Sequence, residues 1–249
     1  MATDQNRLQR EKEYHNKAFS EGTRKKADKY YTIHKISFGQ LIHQLKELCS
    51  GKDVLEYGCG PGSQSFTLSE TAQTVTAIDI SDFAIEQARK KAKTEGYDNL
   101  KFIEMNAEAL QFNNNSFDIV YGNAIIHHLD LHKAFEEIKR VLKPGGKAFF
   151  YEPLGHNFII NLYRKLTPDM RTIDEKPLKH QDLKLLKKYF PNSLIKYLHF
   201  TSLLAVPFRN YKNYYGILKM FHKVDNYLFK MFPFMRRYAW YCVIEINND

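Results

Sequence analysis

The chain has 249 residues, of which 43% are hydrophobic and 26% charged, with a formal net charge of +9. That length suits one α/β domain with an appendage, and no apolar run approaches the roughly 20 residues a membrane-spanning helix needs, which argues against an integral helical membrane protein. The cysteines Cys49, Cys59 and Cys242 have neither metal-ligand spacing nor an even disulfide framework, and the polar N-terminus has no secretion-signal core, so the expectation is a cytoplasmic protein.

Residues 1–50 read as helical. Leu41, Ile42, Leu45 and Leu48 in "QLIHQLKEL" repeat as one apolar face, and a polar, aromatic stretch with Tyr30, Tyr31 and His34 precedes them. From Gly51 onward, β-rich runs alternate with helical ones. "DVLEY", "TVTAID", "LKFIE", "FDIVYG" and "KAFFYE" are the strand candidates, separated by "SQSFTLSETA", "SDFAIEQARKKAKTEG" and "LHKAFEEIKRVL". This alternation predicts βαβ units and a mainly parallel, doubly wound sheet with helices on both faces, whose ligand site lies at the carboxyl ends of the strands. Ser81 is suited to cap one helix and Gly96 to stop it, while "LKPGGK" reads as a break before the fifth strand. After "YEPLGHN" come a helical "QDLKLLKKYF", a run "SLIKYLHFT", a long aromatic stretch and a terminal strand candidate, "YAWYCVIEI".

The turn after the first strand, "VLEYGCGPGSQS", places Gly58, Gly60 and Gly62 at alternate positions, where the missing Cβ lets backbone approach a ligand. Ser63 stands where a dinucleotide fingerprint wants its last glycine, and no Lys-Ser/Thr pair follows as a phosphate-cradling loop requires. Asp79 closes the second strand as a carboxylate suited to accept from a ribose diol.

Glu56 to Gly62, Asp79, "NAEAL" after the third strand, "FDIVYGNAIIHHL" at the fourth and "LKPGG" before the fifth together resemble a class I S-adenosylmethionine (SAM)-dependent methyltransferase, over about Asp53 to Pro153. The resemblance implies a seven-stranded sheet with N-terminal helices acting as a lid over residues 1–50. It implies a SAM-binding domain over 51–249, and within it a substrate-cap insertion, 202–237, before the last strand. Gly58, Gly60 and Gly62 would pass under the methionine part of SAM with Glu56 near its amino group. Asp79 would hold the ribose, Ile80 would pack on the adenine, Asn106 and Ala107 would flank it, and Asn123 and Ala124 would line the way to the sulfonium. Tyr30, Tyr31 and His34 could close over the cofactor, or simply pack in the core.

"NAIIHHLDLH" holds three of the ten histidines. His128 and His132 stand four apart, but the nearby Asp130 would face elsewhere on a helix, so no metal site is expected. His127 or His128 could instead serve as general base or orient the substrate, and either could be structural. Glu152 and His156, just past the fifth strand, are further candidates for touching an acceptor, with bracing as the alternative.

Leu178 to Arg237 carries twelve Lys and Arg against Asp182 and Asp225, so the positive charge belongs to one late region. Within it Tyr211, Tyr214, Tyr215, Leu218, Phe221, Val224, Leu228 and Met231 space as one helical face. Tyr211 and Tyr215 are thereby candidates to roof an apolar substrate pocket. A basic amphipathic helix could also rest on an anionic membrane as a peripheral contact, and interleaved aromatics could bind RNA. "GNAIIHH" lacks the Asn/Asp-Pro-Pro-Tyr pattern of base-modifying methyltransferases, which disfavours nucleic acid. The sequence thus predicts SAM-dependent methyl transfer to oxygen or nitrogen of a small, hydrophobic or aromatic metabolite. The competing readings are a lipid or quinone-precursor methyltransferase at the membrane surface, and a SAM-binding module that engages RNA or protein.

Overall fold

The computed structural model describes residues 2–22, 32–168 and 171–248, the side chains of Ala2, Thr3 and Ser63 excepted. Its centre is a seven-stranded sheet in the order β3-β2-β1-β4-β5-β7-β6. The strands are β1 (Asp53–Tyr57), β2 (Thr74–Asp79), β3 (Leu100–Glu104), β4 (Phe117–Asn123), β5 (Leu142–Pro153), β6 (Leu194–Leu198) and β7 (Tyr241–Asn247). β1 to β5 pair in parallel, and β7 enters antiparallel between β5 and β6. The order reverses at β1, between β2 and β4, where an open α/β sheet leaves a crevice beyond its strand ends.

Alternation along the strands builds two apolar cores, one on each face of the sheet. Val54, Phe149 and Tyr151 face the first, beside α2 (His34–Leu48), α3 (Ser63–Ser69) and α4 (Asp82–Glu95); Leu55, Tyr57, Ala148 and Phe150 face the second, beside α5 (Leu131–Val141) and α7 (His180–Tyr189). Each fully buried large side chain contributes roughly 1.5–3 kcal/mol. The helix boundaries follow local chemistry. The Ser81 hydroxyl accepts from Ala84 N–H at 3.1 Å and Gly96 ends α4 at φ +75°; Asp130 caps α5 by accepting from His132 and Lys133 N–H.

Two expectations are corrected. The "LKPGGK" stretch continues β5 rather than interrupting it, since α5 already ends at Val141 and the irregularity is absorbed as a shift in register against β4. In α8 (Tyr214–Met231) the buried residues are Tyr214, Leu218, Asp225 and Phe229, leaving Tyr215, Val224 and Met231 exposed. The helix is rotated because Asp225 faces inward, where its carboxylate accepts from the N–H groups of Phe200, Thr201 and Ser202 and so caps the 3-10 turn Thr201–Phe208. A period of apolar residues could not register that a charged side chain belongs to the buried face. Among the described residues no helix is long and apolar enough to cross a membrane.

Candidate active site

The ends of β1 and β2 and the start of α3 form one polar pole. Gly60 takes φ +52° and turns its N–H toward Asp79, whose Oδ2 accepts it at 2.7 Å while Oδ1 accepts Ser81 N–H at 2.8 Å. A Cβ on Gly60 would stand 3.0 Å from the Phe19 ring, so this loop and helix α1 (Ala2–Glu21) close on one another only with glycine there. Glu56 is buried and accepts from the Ser65 hydroxyl. Burial pushes its carboxyl up to about 8; the Ser65 hydrogen bond opposes that shift and the charge of Asp79 adds to it.

These groups border a cavity of about 160 Å³. Glu56, Gly58 and Gly60 form one wall, Asp79, Ile80, Asn106 and Ala107 a second, and Asn123 and Ala124 lie at the end of β4. Gly62 is not on the wall. It turns the chain into α3 at φ +86°, where a Cβ would meet the Phe102 ring at 2.7 Å, so packing is what requires glycine here. Asn106 accepts from Glu108 N–H at 2.9 Å and so shapes the turn after β3.

The histidines separate into different roles. His127 places Nδ1 2.7 Å from Glu152 Oε2, while Oε1 accepts from the N–H groups of Ile125 and Ile126 at 2.8 and 3.0 Å. Glu152 is wholly buried, and neither it nor His127 lines the cavity. Burial raises Glu152 to about 7 against the opposing backbone donors and holds His127 well below its ordinary range, so the imidazole is neutral and its Nδ1 shares one hydrogen bond with the Glu152 carboxyl group. Glu152 and His127 therefore brace the turn after β4, the structural alternative among the readings open to each, and do not border the cavity. His128, by contrast, lines the cavity. His132 turns away to Tyr189, its Nδ1 2.9 Å from the hydroxyl, so the four-residue spacing of His128 and His132 brings them to no common point.

The other substrate candidates lie elsewhere. His156 accepts from His180 N–H at the start of α7, and Tyr211 and Tyr215 are exposed; none of the three borders the cavity. The segment between β6 and β7 packs instead against the sheet edge and the start of α2, where Tyr214 donates to Thr32 Oγ1. Tyr30 and Tyr31 lie outside the described residues, and His34 is buried in the core against Tyr151.

A family profile described as a methyltransferase domain matches residues 55–150, the stretch that supplies the glycine loop, Asp79, Asn106 and the end of β4. Over these residues the chain is similar to a methyltransferase domain. A sterol 24-C-methyltransferase of Aspergillus fumigatus is 35% identical over 136 residues, covering 53% of this chain and 35% of that protein. A demethylmenaquinone methyltransferase of Lactococcus lactis is 37% identical over 107 residues, covering 41% of this chain and 42% of that protein. The chain thus spans well under half the length of these curated relatives. In fold, it is similar to geranyl diphosphate C-methyltransferase of Streptomyces coelicolor, solved with Mg²⁺, geranyl diphosphate and S-adenosyl-L-homocysteine, at a TM-score of 0.63 and 16% identity, covering 87% of this chain and 80% of that one.

One wall of the cavity comes from helix α1, to which sequence alone assigned no chemistry. Arg7, Glu11, His15 and Phe19 all border the cavity from α1. Their spacing of four residues is the signal that was available, hidden because the stripe mixes cation, anion, imidazole and ring and so shows no apolar period. Arg7 fastens the lid by donating to His128 O at 2.9 Å and to Glu108 Oε1 at 2.5 Å. Glu11 is buried and accepts from Thr172 Oγ1 at 2.6 Å. Burial would raise its carboxyl, but His128, His15 and Thr172 together outweigh that and hold it below the usual carboxylate range.

Proposed function

We propose that this cavity binds SAM at the pole formed by Glu56, the glycine loop, Asp79 and Asn106, and transfers its methyl group to a small, largely apolar acceptor held between His128 and helix α1. The observation that carries this reading is the conjunction, around one cavity, of two buried carboxylates, Glu56 and Asp79, with the imidazole of His128 and the ring of Phe19. The donor set suits the cofactor. Glu56 matches an ammonium, Asp79 keeps lone pairs for a diol beside its two backbone donors, and Ile80, Met105 and Ala107 offer apolar surface to a base. SAM supplies both the methyl group and the leaving group. The protein's own part is to orient the acceptor, exclude water beneath α1 and present His128 to it, while Glu152 and His127 fix the turn that carries His128.

The expected oxygen or nitrogen acceptor widens to include carbon, since the sterol and geranyl diphosphate relatives are named as C-methyltransferases. A membrane-surface version of the reading has its own support. Phe158, Leu162 and Leu166 on α6 (Phe158–Leu166) and Phe234 are exposed near Arg164, Lys165, Arg236 and Arg237, and the curated relatives named above are sterol and demethylmenaquinone enzymes. The deciding experiment incubates the protein with tritiated-methyl SAM and a fractionated metabolite extract, then identifies the labelled product by mass. Label entering an aqueous or lipid-soluble small molecule supports the reading, and label entering only RNA or protein would reject it.

A further inference from the structure

Two histidines and one glutamate meet at the acceptor side of the cavity, contributed by two separate elements. Glu11 and His15 share a face of α1 by their spacing of four residues, and His128 arrives from the turn after β4. Glu11 Oε2 lies 3.1 Å from His128 Nδ1 and 3.4 Å from His15 Nε2, and all three donor atoms fall within 4.8 Å of one another. The three side chains are only 5%, 12% and 14% exposed, in the order Glu11, His128 and His15.

No aligned hydrogen bond accounts for the approach of Glu11 to His128. Glu11 Oε2 and His128 Nδ1 are both buried and neither forms an aligned hydrogen bond, although they face each other at close range. Buried polar atoms are almost always satisfied, and an acceptor and a ring nitrogen that converge without alignment are a pair waiting for a third atom. The two carboxylate–imidazole separations fit one. Donors about 2.0–2.1 Å from a single divalent ion, at tetrahedral to octahedral angles, stand about 2.9–3.4 Å apart. A second grouping, His127, His128 and Glu175, also falls within reach, but His127 Nδ1 is already engaged by Glu152.

We infer that Glu11, His15 and His128 form a binding site for a divalent transition-metal ion. Two imidazoles and one carboxylate suit Zn²⁺, Fe²⁺, Co²⁺ or Mn²⁺ better than the all-oxygen preference of Ca²⁺ or Mg²⁺. The outer contacts expected of such a site are present, since Thr172 orients Glu11 through Oε1 and Arg7 holds the His128 carbonyl. All three ligand residues line the cavity, so the remaining coordination positions open toward the acceptor. Resting on the methyltransferase reading, this names the acceptor class: a small molecule with an ionisable hydroxyl at or beside the methylated atom. The ion takes that oxygen as its anion, and the proton leaves to solvent. The proposed site departs from the metal-free expectation, which weighed His128 only against its neighbours in sequence.

The test uses the untagged 249-residue protein stripped with EDTA and dialysed against Zn²⁺ for elemental analysis, and against Co²⁺ for its visible absorption. Wild type should retain about one ion per chain and gain thermal stability. Glu11→Gln and His15→Ala should each bind ~10-fold or more weakly, with His132→Ala unchanged. Circular dichroism identifies a variant that failed to fold, and the other ligand variant then decides. Wild type that retains no ion, or ligand variants that retain as much as wild type, would overturn the site and leave a bare Glu–His pair. The SAM-induced melting shift of the stripped protein is read in the same samples. If that shift is absent while metal binds, the cofactor reading fails and the metal site stands; the reverse result separates them the other way.

Discussion

At the scale of single residues, Asp79 and Glu152 are both buried carboxylates at strand ends, yet they serve different ends. Asp79 borders the cavity and also ties Gly60 to Ser81. Asp79→Ala should therefore abolish the SAM-induced rise in melting temperature and lower the melting temperature of the free protein as well, both measurable in one scanning-fluorimetry experiment. Glu152→Ala would strand the N–H groups of Ile125 and Ile126 and His127 Nδ1 in the interior. The cost should be about 3–5 kcal/mol in urea unfolding, the range for breaking a buried pair. His127→Ala should lose stability, while His128→Ala should lose turnover and still respond to SAM; two fully active single mutants would remove His128 from the acceptor site. Sequence made the adjacent histidines equivalent candidates. Only the position of β5 beside β4 decides that Glu152 engages the first and leaves the second to the cavity.

At the scale of elements, α1 is where sequence and structure part most. Its polar composition carries little sign of burial, and its place over the cavity comes from contacts at long separation, Arg7 to Glu108 and His128, and Glu11 to Thr172. A variant lacking residues 1–22 removes only the lid and none of the seven strands. It should still unfold cooperatively but show a reduced SAM-induced melting shift; an undiminished shift would mean that the lid adds nothing to cofactor binding. By contrast, α4 is legible in full, because Ser81 and Gly96 are local signals acting within one turn. In α8 the apolar period is read correctly as a helix but rotated, since the capping role of Asp225 depends on a 3-10 turn more than twenty residues away.

At the scale of the whole molecule, the sheet is stitched to α2 by a buried polar network. The Tyr151 hydroxyl lies 2.6 Å from His34 Nδ1, 2.8 Å from His199 Nε2 and 3.1 Å from the Ser37 hydroxyl. Burial pushes His34 down to about 3 and His199 well below its ordinary range, so both are neutral in the fold. The unfolded chain, with histidines near 6.5, binds more protons below that pH. Stability should accordingly be full above pH 6.5 and decline as the pH falls from there toward 3. Melting temperatures across pH 7.5 to 5 test this, and His34→Gln should flatten the slope. The alternation of strand and helix, the glycine turn and the acid at the end of β2 were all legible in sequence alone, because each is written in residues a few positions apart. Which histidine meets the cavity, which helix covers it and which side chains converge on Glu11 were decided only by the tertiary structure. These are contacts across 25 to 161 residues, and the hydrophobic and turn patterns that specify local elements carry no record of what a distant segment will place against them.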